Sequence, residues 1–220
     1  IVDENDNLLD YRKFRTAWQN DNGKDRFRVI PSKTLEDGKK TEAKMQIPVI
    51  YLGLSRLFPI GEANEDKITA NSINFIDDKQ KKWFIDKYTK ILSLYDDISD
   101  VSNFSIGETD KKKGVGIETD KYDYLTNSSG QDNLGQILMA ILSFQKLRKV
   151  RKEWTGGLLL IDEIDATLHP AAQKRLIDLL IKEAKENKIQ VVVTTHSSDL
   201  LKHICSKTMH NNISVNLSLI

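Results

Sequence analysis

The stretch GGLLLIDEIDATLHP, residues 156–170, decides the fold. Its four apolar residues, Leu158 to Ile161, read as a buried β-strand, and Asp162, Glu163 and Asp165 follow at once. The apolar run is continuous rather than alternating, which predicts a parallel strand covered on both faces. Pro170 then opens the helix predicted from PAAQKRLIDLLIKEAKENK, a position where its missing N–H costs nothing and its fixed φ is already helical. A strand feeding directly into a helix is the building unit of a parallel α/β sheet.

Downstream, IQVVVTT (189–195) is a second buried strand ending at His196, SSDLLKHI is a short helix, and ISVNLSLI (213–220) is a third strand. Upstream, NSSGQDNLGQILMAILSFQKLRKVRK (127–152) sets Leu134, Ile137, Leu138, Ile141 and Leu142 on one helical stripe behind small polar residues suited to an N-cap. The order α-β-α-β-α-β with short connections predicts a parallel sheet. Further back, RFRVIP (27–32) and QIPVIYLGLS (46–55) read as strands. DDKQKKWFIDKYTKILSLYDDI (77–98) reads as an amphipathic helix presenting Trp83, Phe84, Tyr88, Ile91 and Leu92. FSIGETDKKKGVGIETDKY (104–122) alternates about DKKKG as a two-stranded hairpin would. Three regions are therefore expected: 1–65 as the remainder of an N-terminal lobe, 66–125 as a helix-and-hairpin insertion, and 126–220 as the main α/β lobe.

At 220 residues and 39% hydrophobic content the chain can fill a sizeable core. Thirty-three basic residues against 32 acidic ones leave a net charge of +1, so no global field favours nucleic acid or a membrane surface. One cysteine, Cys205, excludes an internal disulfide framework. No apolar run approaches the roughly 18 residues that span a bilayer, and no basic-then-apolar leader opens the chain. These features point to a cytoplasmic protein without a membrane partner. The first residue, Ile1, is not a methionine, and the expectation is a piece of a longer protein.

Ligands of parallel α/β sheets gather at the carboxyl ends of the strands, where both the Asp-Glu pair and His196 fall. Carboxylates on so rigid a mount suit a hydrated Mg2+ and an oriented water. Four apolar residues followed by Asp-Glu form a Walker B pattern: Asp162 would contact Mg2+ directly or through water, and Glu163 would polarise the attacking water. Acidic residues also end strands simply because loops begin there.

The chain resembles the ABC-type ATPase heads of the SMC, RecF and OLD proteins, and most closely the AAA-family ATPases of bacterial antiphage systems such as Septu. The resemblance is strong over 126–205 and loose over 46–62. The family's signature loop, roughly Leu-Ser-Gly-Gly-Gln or Glu, is represented by Asn127, Ser128, Ser129, Gly130 and Gln131, with Asn for Leu and Ser for Gly as departures. The resemblance implies a P-loop NTPase lobe in which Ser128, Ser129, Gly130 and Gln131 meet a γ-phosphate at a helix N-terminus. It makes Asp165 part of the D-loop and His196 the switch histidine. It further implies ATP and Mg2+ as ligands and a second head, in a homodimer, whose Ser128 and Gly130 face Asp162, Glu163 and His196 across the nucleotide. A nuclease subunit or DNA would be the gated partner.

Other residues read more plainly. Ser128 and Ser129 also suit a helix cap, and His196 could be a histidine at a strand end. His169 precedes a helix and would pack or cap, while His203 and His210 lack metal-ligand spacing. Lys146, Arg148, Lys149, Arg151 and Lys152 end a helix, where cations complement the macrodipole. Arg56 in LGLSRLFP follows a strand, where it either faces the nucleotide or a partner or is solvated, and solvation is the expectation. No Gly-x4-Gly-Lys-Ser/Thr occurs in the 220 residues, and Gln46 is a Q-loop candidate by type alone. The chain by itself is thus expected to be inactive. A non-catalytic dimerisation or assembly module keeping the ATPase fold is the alternative. A metal-dependent nuclease is a weaker third reading, since Asp162 and Asp165 have no Asp-x-Asp pair beside them.

Overall fold

The computed structural model describes residues 13–35, 38–42, 47–73, 75, 77–107 and 113–211. The chain divides into two compact units, residues 1–48 and 49–220. Gln46 and the predicted strand 213–220 lie outside the described residues.

The first unit is a long hairpin. Strands β1 (Lys13–Asp21) and β2 (Lys24–Thr34) pair antiparallel from Lys13↔Ser32 to Asp21↔Lys24, and β3 (Lys40–Thr41) adds to the far end of β2. Asn22 and Gly23 turn the chain with φ of 52° and 78°, the two positive angles a tight hairpin needs to match strand twist. Strand β1 was not anticipated, although the Asn-Gly between alternating runs is its signature.

Among the described residues the second unit holds two sheets and four α-helices. In chain order they are β4 (Val49–Leu52), β5 (Ile68–Ser72), α1 (Asp78–Leu92), β6 (Ile98–Ile106) and β7 (Lys113–Thr119), then α2 (Ser129–Val150), β8 (Gly157–Ile161), α3 (Pro170–Asn187), β9 (Ile189–Val193) and α4 (Ser198–Asn211). Strands β4, β8 and β9 form a parallel sheet with β8 central, in register Tyr51↔Leu160↔Val192. This is the α/β lobe that the opening stretch predicts. Strands β5, β6 and β7 form a separate antiparallel sheet, so the expected two-stranded hairpin has a third strand. Helix α1 stops at Leu92, short of the predicted 98, because Ser93 adopts the left-handed conformation (φ 56°) that closes a helix.

The core is continuous. Phe84, Tyr88 and Ile91 of α1, Val101 of β6 and Val115 and Ile117 of β7 join Leu134, Ile137, Leu138 and Ile141 of α2, Leu159 and Ile161 of β8 and Leu176 of α3 in one buried cluster. Each such side chain contributes about 1.5–3 kcal/mol by leaving water, so residues 66–125 are fastened to the parallel sheet through α2. The expectation that β8 is covered on both faces holds only in part, since Leu158 and Leu160 on its second face are half-buried. Among the described residues the sheet buries Leu159 and Ile161 on one side, while its other side leaves Tyr51 64% and Val192 54% exposed. A continuous apolar run records that a strand is central, not which of its faces is covered.

Candidate functional site

Strand β8 ends by handing Asp162 and Glu163 to a turn that is pinned on both sides. Asp162 N–H donates to the Leu52 carbonyl (3.0 Å), and Ile164 N–H to the Thr194 carbonyl (3.0 Å), so the sheet ladder runs past the strand end. The Thr194 hydroxyl donates to Asp162 Oδ1 (2.6 Å) and accepts from Glu163 N–H (2.7 Å). Glu163 has φ of 47°, a left-handed conformation costing a non-glycine residue about 1–2 kcal/mol. The Glu163 side chain is 40% exposed, and His196 Nε2 lies 4.0 Å from its Oε1 on a ring 89% exposed. Asp165 accepts a hydrogen bond from the Thr195 hydroxyl, and its carbonyl accepts from Gln173 Nε2 (3.0 Å). The tips of β8 and β9 therefore gather Asp162, Glu163, Asp165 and His196, with Thr194 and Thr195 as the cross-links. Neither threonine was singled out from the sequence.

The start of α2 is built differently. Ser128 caps the helix: its Oγ accepts from Gln131 N–H (3.2 Å), and Gln131 Oε1 accepts from Ser128 N–H (2.8 Å), a reciprocal capping box. Gly130 must be glycine for a steric reason, because a Cβ there would lie 2.5 Å from the Thr167 carbonyl oxygen. Helix α2 thus begins in contact with the turn that follows Glu163. Asn127, the departure from the family's leucine, is buried and structural. Its Oδ1 accepts from Ile117 N–H (3.0 Å), and its Nδ2 donates to the carbonyls of Ile117 and Asp123 (both 2.9 Å). A cavity of about 350 Å3 opens beside this helix start, lined by Ser128, Gly130, Gln131, Thr167, His169 and Arg175 among others. Asp162, Glu163 and His196 are not among its lining residues, so the serine group and the carboxylate group present separate surfaces.

Arg56 corrects the sequence reading most. It is 2% exposed, not solvated. Its Nε donates to Asn133 Oδ1 (2.8 Å), Nη1 to the carbonyls of Leu52 (3.1 Å) and Gly53 (2.9 Å), and Nη2 to the carbonyls of Asp162 and Glu163 (3.0 Å for the latter). Burial pulls the guanidinium below its ordinary pKa, while the nearby Asp162 and Glu163 carboxylates and Tyr51 oppose that shift. Single-residue context in LGLSRLFP carries no sign of this, since all the acceptors but Leu52 and Gly53 are distant in sequence.

The remaining residues singled out from the sequence cap helices, pair with charged or carbonyl groups, or face solvent. His169 caps α3 through Nδ1, which accepts from Ala171 N–H (3.3 Å). His203 Nε2 lies 2.9 Å from Asp178 Oδ1. In the basic run, Arg148 donates to the Glu186 carbonyl and Lys149 lies 3.9 Å from Asp77, while Lys146, Arg151 and Lys152 are exposed. Among the described residues no helix is long and apolar enough to cross a membrane. None of their His, Cys, Asp and Glu side chains cluster in threes as a metal cage. One carboxylate at a strand tip is nonetheless what Mg2+ uses when substrate phosphates and waters complete its shell. Asp162, with Oδ1 oriented by Thr194, fits that part.

Residues 20–202 match the family model described as AAA domain, putative AbiEii toxin, Type IV TA system. The chain belongs to this AAA-domain family. It is also 42% identical over 50 residues to the methionine import ATP-binding protein MetN of Clostridium tetani, a stretch covering 23% of this chain and 16% of that protein. An uncharacterized protein of Methanocaldococcus jannaschii is 41% identical over 46 residues, 21% of this chain and 40% of the relative. The chain thus matches well under half the length of either relative. No solved structure matches it. The family is thus one of AAA domains, and the first of these relatives is named an ATP-binding protein.

Proposed function

We propose that this chain supplies the hydrolytic residues of an ABC-type ATPase head that works as a head-to-head dimer. The observation that carries the reading is the Thr194 hydroxyl tying Asp162 to Glu163, with His196 beside them, at the tips of adjacent parallel strands. Glu163, half-exposed and held in a fixed backbone geometry, accepts the proton of an attacking water. His196 senses the γ-phosphate, and Asp162 is the residue that would hold Mg2+. The ion, when bound with ATP, neutralises charge on the transferring phosphoryl group. Ser128, Ser129, Gly130 and Gln131 serve the nucleotide of the opposite head, with Asp165 at the dimer seam. Because hydrolysis of this type rests on positioning and charge, few side chains carry it.

The 220 residues contain no Gly-x4-Gly-Lys-Ser/Thr loop, and a triphosphate loses several backbone donors and a lysine without one. Residues 1–220 alone are therefore expected to neither hold ATP tightly nor hydrolyse it. In the cell the opening and closing of the dimer gates a nuclease or DNA-bound partner in an antiphage role, an assignment resting on family analogy. A dimerisation module without catalysis is favoured by one observation only, that Ser128 and Gln131 already satisfy each other in a capping box. The test is Glu163→Gln in the protein as its gene encodes it. ATP binding should persist while turnover falls about a hundredfold or more. Unchanged turnover would remove Glu163 from the mechanism, and no turnover in the unsubstituted protein would favour the module.

A further inference from the structure

Arg56, in the short 3-10 turn Leu54–Leu57 that follows β4, joins three separate segments of the candidate site. A guanidinium carries five N–H donors in a planar fork, and Arg56 makes five hydrogen bonds with them. Two go to the carbonyls of Leu52, the last residue of β4, and Gly53 after it, two to those of Asp162 and Glu163, and one to Asn133 on α2. Asn133 extends the contact, its Nδ2 donating to the Ala166 carbonyl (3.0 Å) and to Thr167 Oγ1 (3.3 Å). The turn from 162 to 167 is thus fixed from beneath by an Arg56–Asn133 pair.

Glu163 is the residue this arrangement acts on. Its left-handed backbone is intrinsically unfavourable and is held at both ends, at N–H by Thr194 and at C=O by Arg56. The Glu163 carbonyl also accepts from Ala166 N–H (3.1 Å), so the Arg56 bond is one of two that fix its direction, and losing it loosens the aim of the side chain without freeing the turn. A buried cation is a costly way to fasten a turn when apolar packing would serve stability as well. What the cation adds is a defined direction for each of the carbonyls it holds.

We infer that Arg56 is a positioning residue for hydrolysis: by holding the carbonyl oxygens of Asp162 and Glu163 it sets where the Glu163 carboxylate points. The inference rests on the reading of Glu163 given above. Lysine cannot replace it, since one ammonium offers three donors from a single point against five in a plane.

The experiment is a double-substitution cycle in the protein as its gene encodes it, comparing Arg56→Lys, Glu163→Gln and both together by steady-state and single-turnover ATP hydrolysis. Arg56→Lys should lower kcat about tenfold or more with KM for ATP within about threefold. In the Glu163→Gln background the same change should alter the residual rate by less than about twofold. Multiplying losses, a change confined to KM, or a lower melting temperature at unchanged kcat would each overturn the inference. Wild-type turnover by Glu163→Gln alone would instead sink the reading of Glu163. If Arg56→Lys is not recovered folded, Arg56→Ala is assayed with and without added guanidinium, with ammonium at equal ionic strength as the control. Rescue of kcat by guanidinium alone supports the inference, and its failure, or no folded protein from either variant, overturns it.

Discussion

Thr194→Val isolates the smallest part of the candidate site on which its geometry depends. Valine keeps the shape and β-preference of threonine and removes only the hydroxyl. Two hydrogen bonds disappear, one of 2.6 Å to the Asp162 carboxylate and one of 2.7 Å from Glu163 N–H. A hydrogen bond to a charged group contributes about 1.5–3 kcal/mol when sheltered. The strand tip is partly open to water, which supplies a substitute partner, so the expected net loss for the pair is about 1–2 kcal/mol. For a chain of this size that lowers the melting temperature by about 3–6 °C. Thr194→Ser, which keeps the hydroxyl, should melt within a degree or two of the unsubstituted protein. Thermal unfolding followed by circular dichroism separates the three proteins. In the protein as its gene encodes it, Thr194→Val should also reduce ATP turnover about tenfold, because Glu163 loses its N-terminal restraint. Equal melting of the Val and Ser proteins would refute the argument that this hydroxyl holds the strand tip.

Two further outcomes are expected. Asn127→Leu introduces the leucine that the resemblance to ABC-type heads expects at this position, yet it should destabilise by about 2–4 kcal/mol, because it strips partners from the Ile117 N–H and carbonyl in a buried setting; urea titration measures this, and a more stable Leu protein would contradict it. Asp100 has its pKa held below the ordinary aspartate value, first by a hydrogen bond from the Ser72 hydroxyl (2.7 Å) and then by its backbone and Lys81 partners. A carboxylate depressed in the folded state stabilises above its unfolded pKa, and that contribution is lost as pH falls through the folded value. In Ser72→Ala the Asp100 carboxyl should titrate at higher pH by NMR, and an unmoved titration would count against the hydrogen bond as its cause.

Much of the second unit was legible from chain pattern. The apolar run at 158–161, Pro170 and the Ser-Ser-Gly at 128–130 each act through local geometry, so β8, α3 and the start of α2 follow from residues within a few positions of one another. The gathering of Asp162, Glu163 and His196 was legible for the same reason, since each ends a strand of one parallel sheet. What escaped was long-range. Arg56 reaches partners 77, 106 and 107 positions away, and no window along the chain contains that information. Strand β5 was missed because ITANS carries little apolar signal and gains its place only by pairing with β6. The open face of the parallel sheet was misread because burial on one side already demands large aliphatic residues on a central strand.

The junction between β7 and α2 combines the packed side chains of Val115 and Ile117 with a second set of ties to main-chain atoms of the strand. Asn127 grips the peptide groups of Ile117, and Asp132 accepts from Val115 N–H at 2.7 Å. These hydrogen bonds, unlike the packing of Val115 and Ile117, do not depend on which side chains the strand carries. Thr69, Asn71, Ser99 and Asn103, exposed on the neighbouring strands β5 and β6, take part in neither set of contacts, and their exchange should leave the coupling of that sheet to Ser128 intact. That surface can diversify quickly, on a mount whose attachment point does not move.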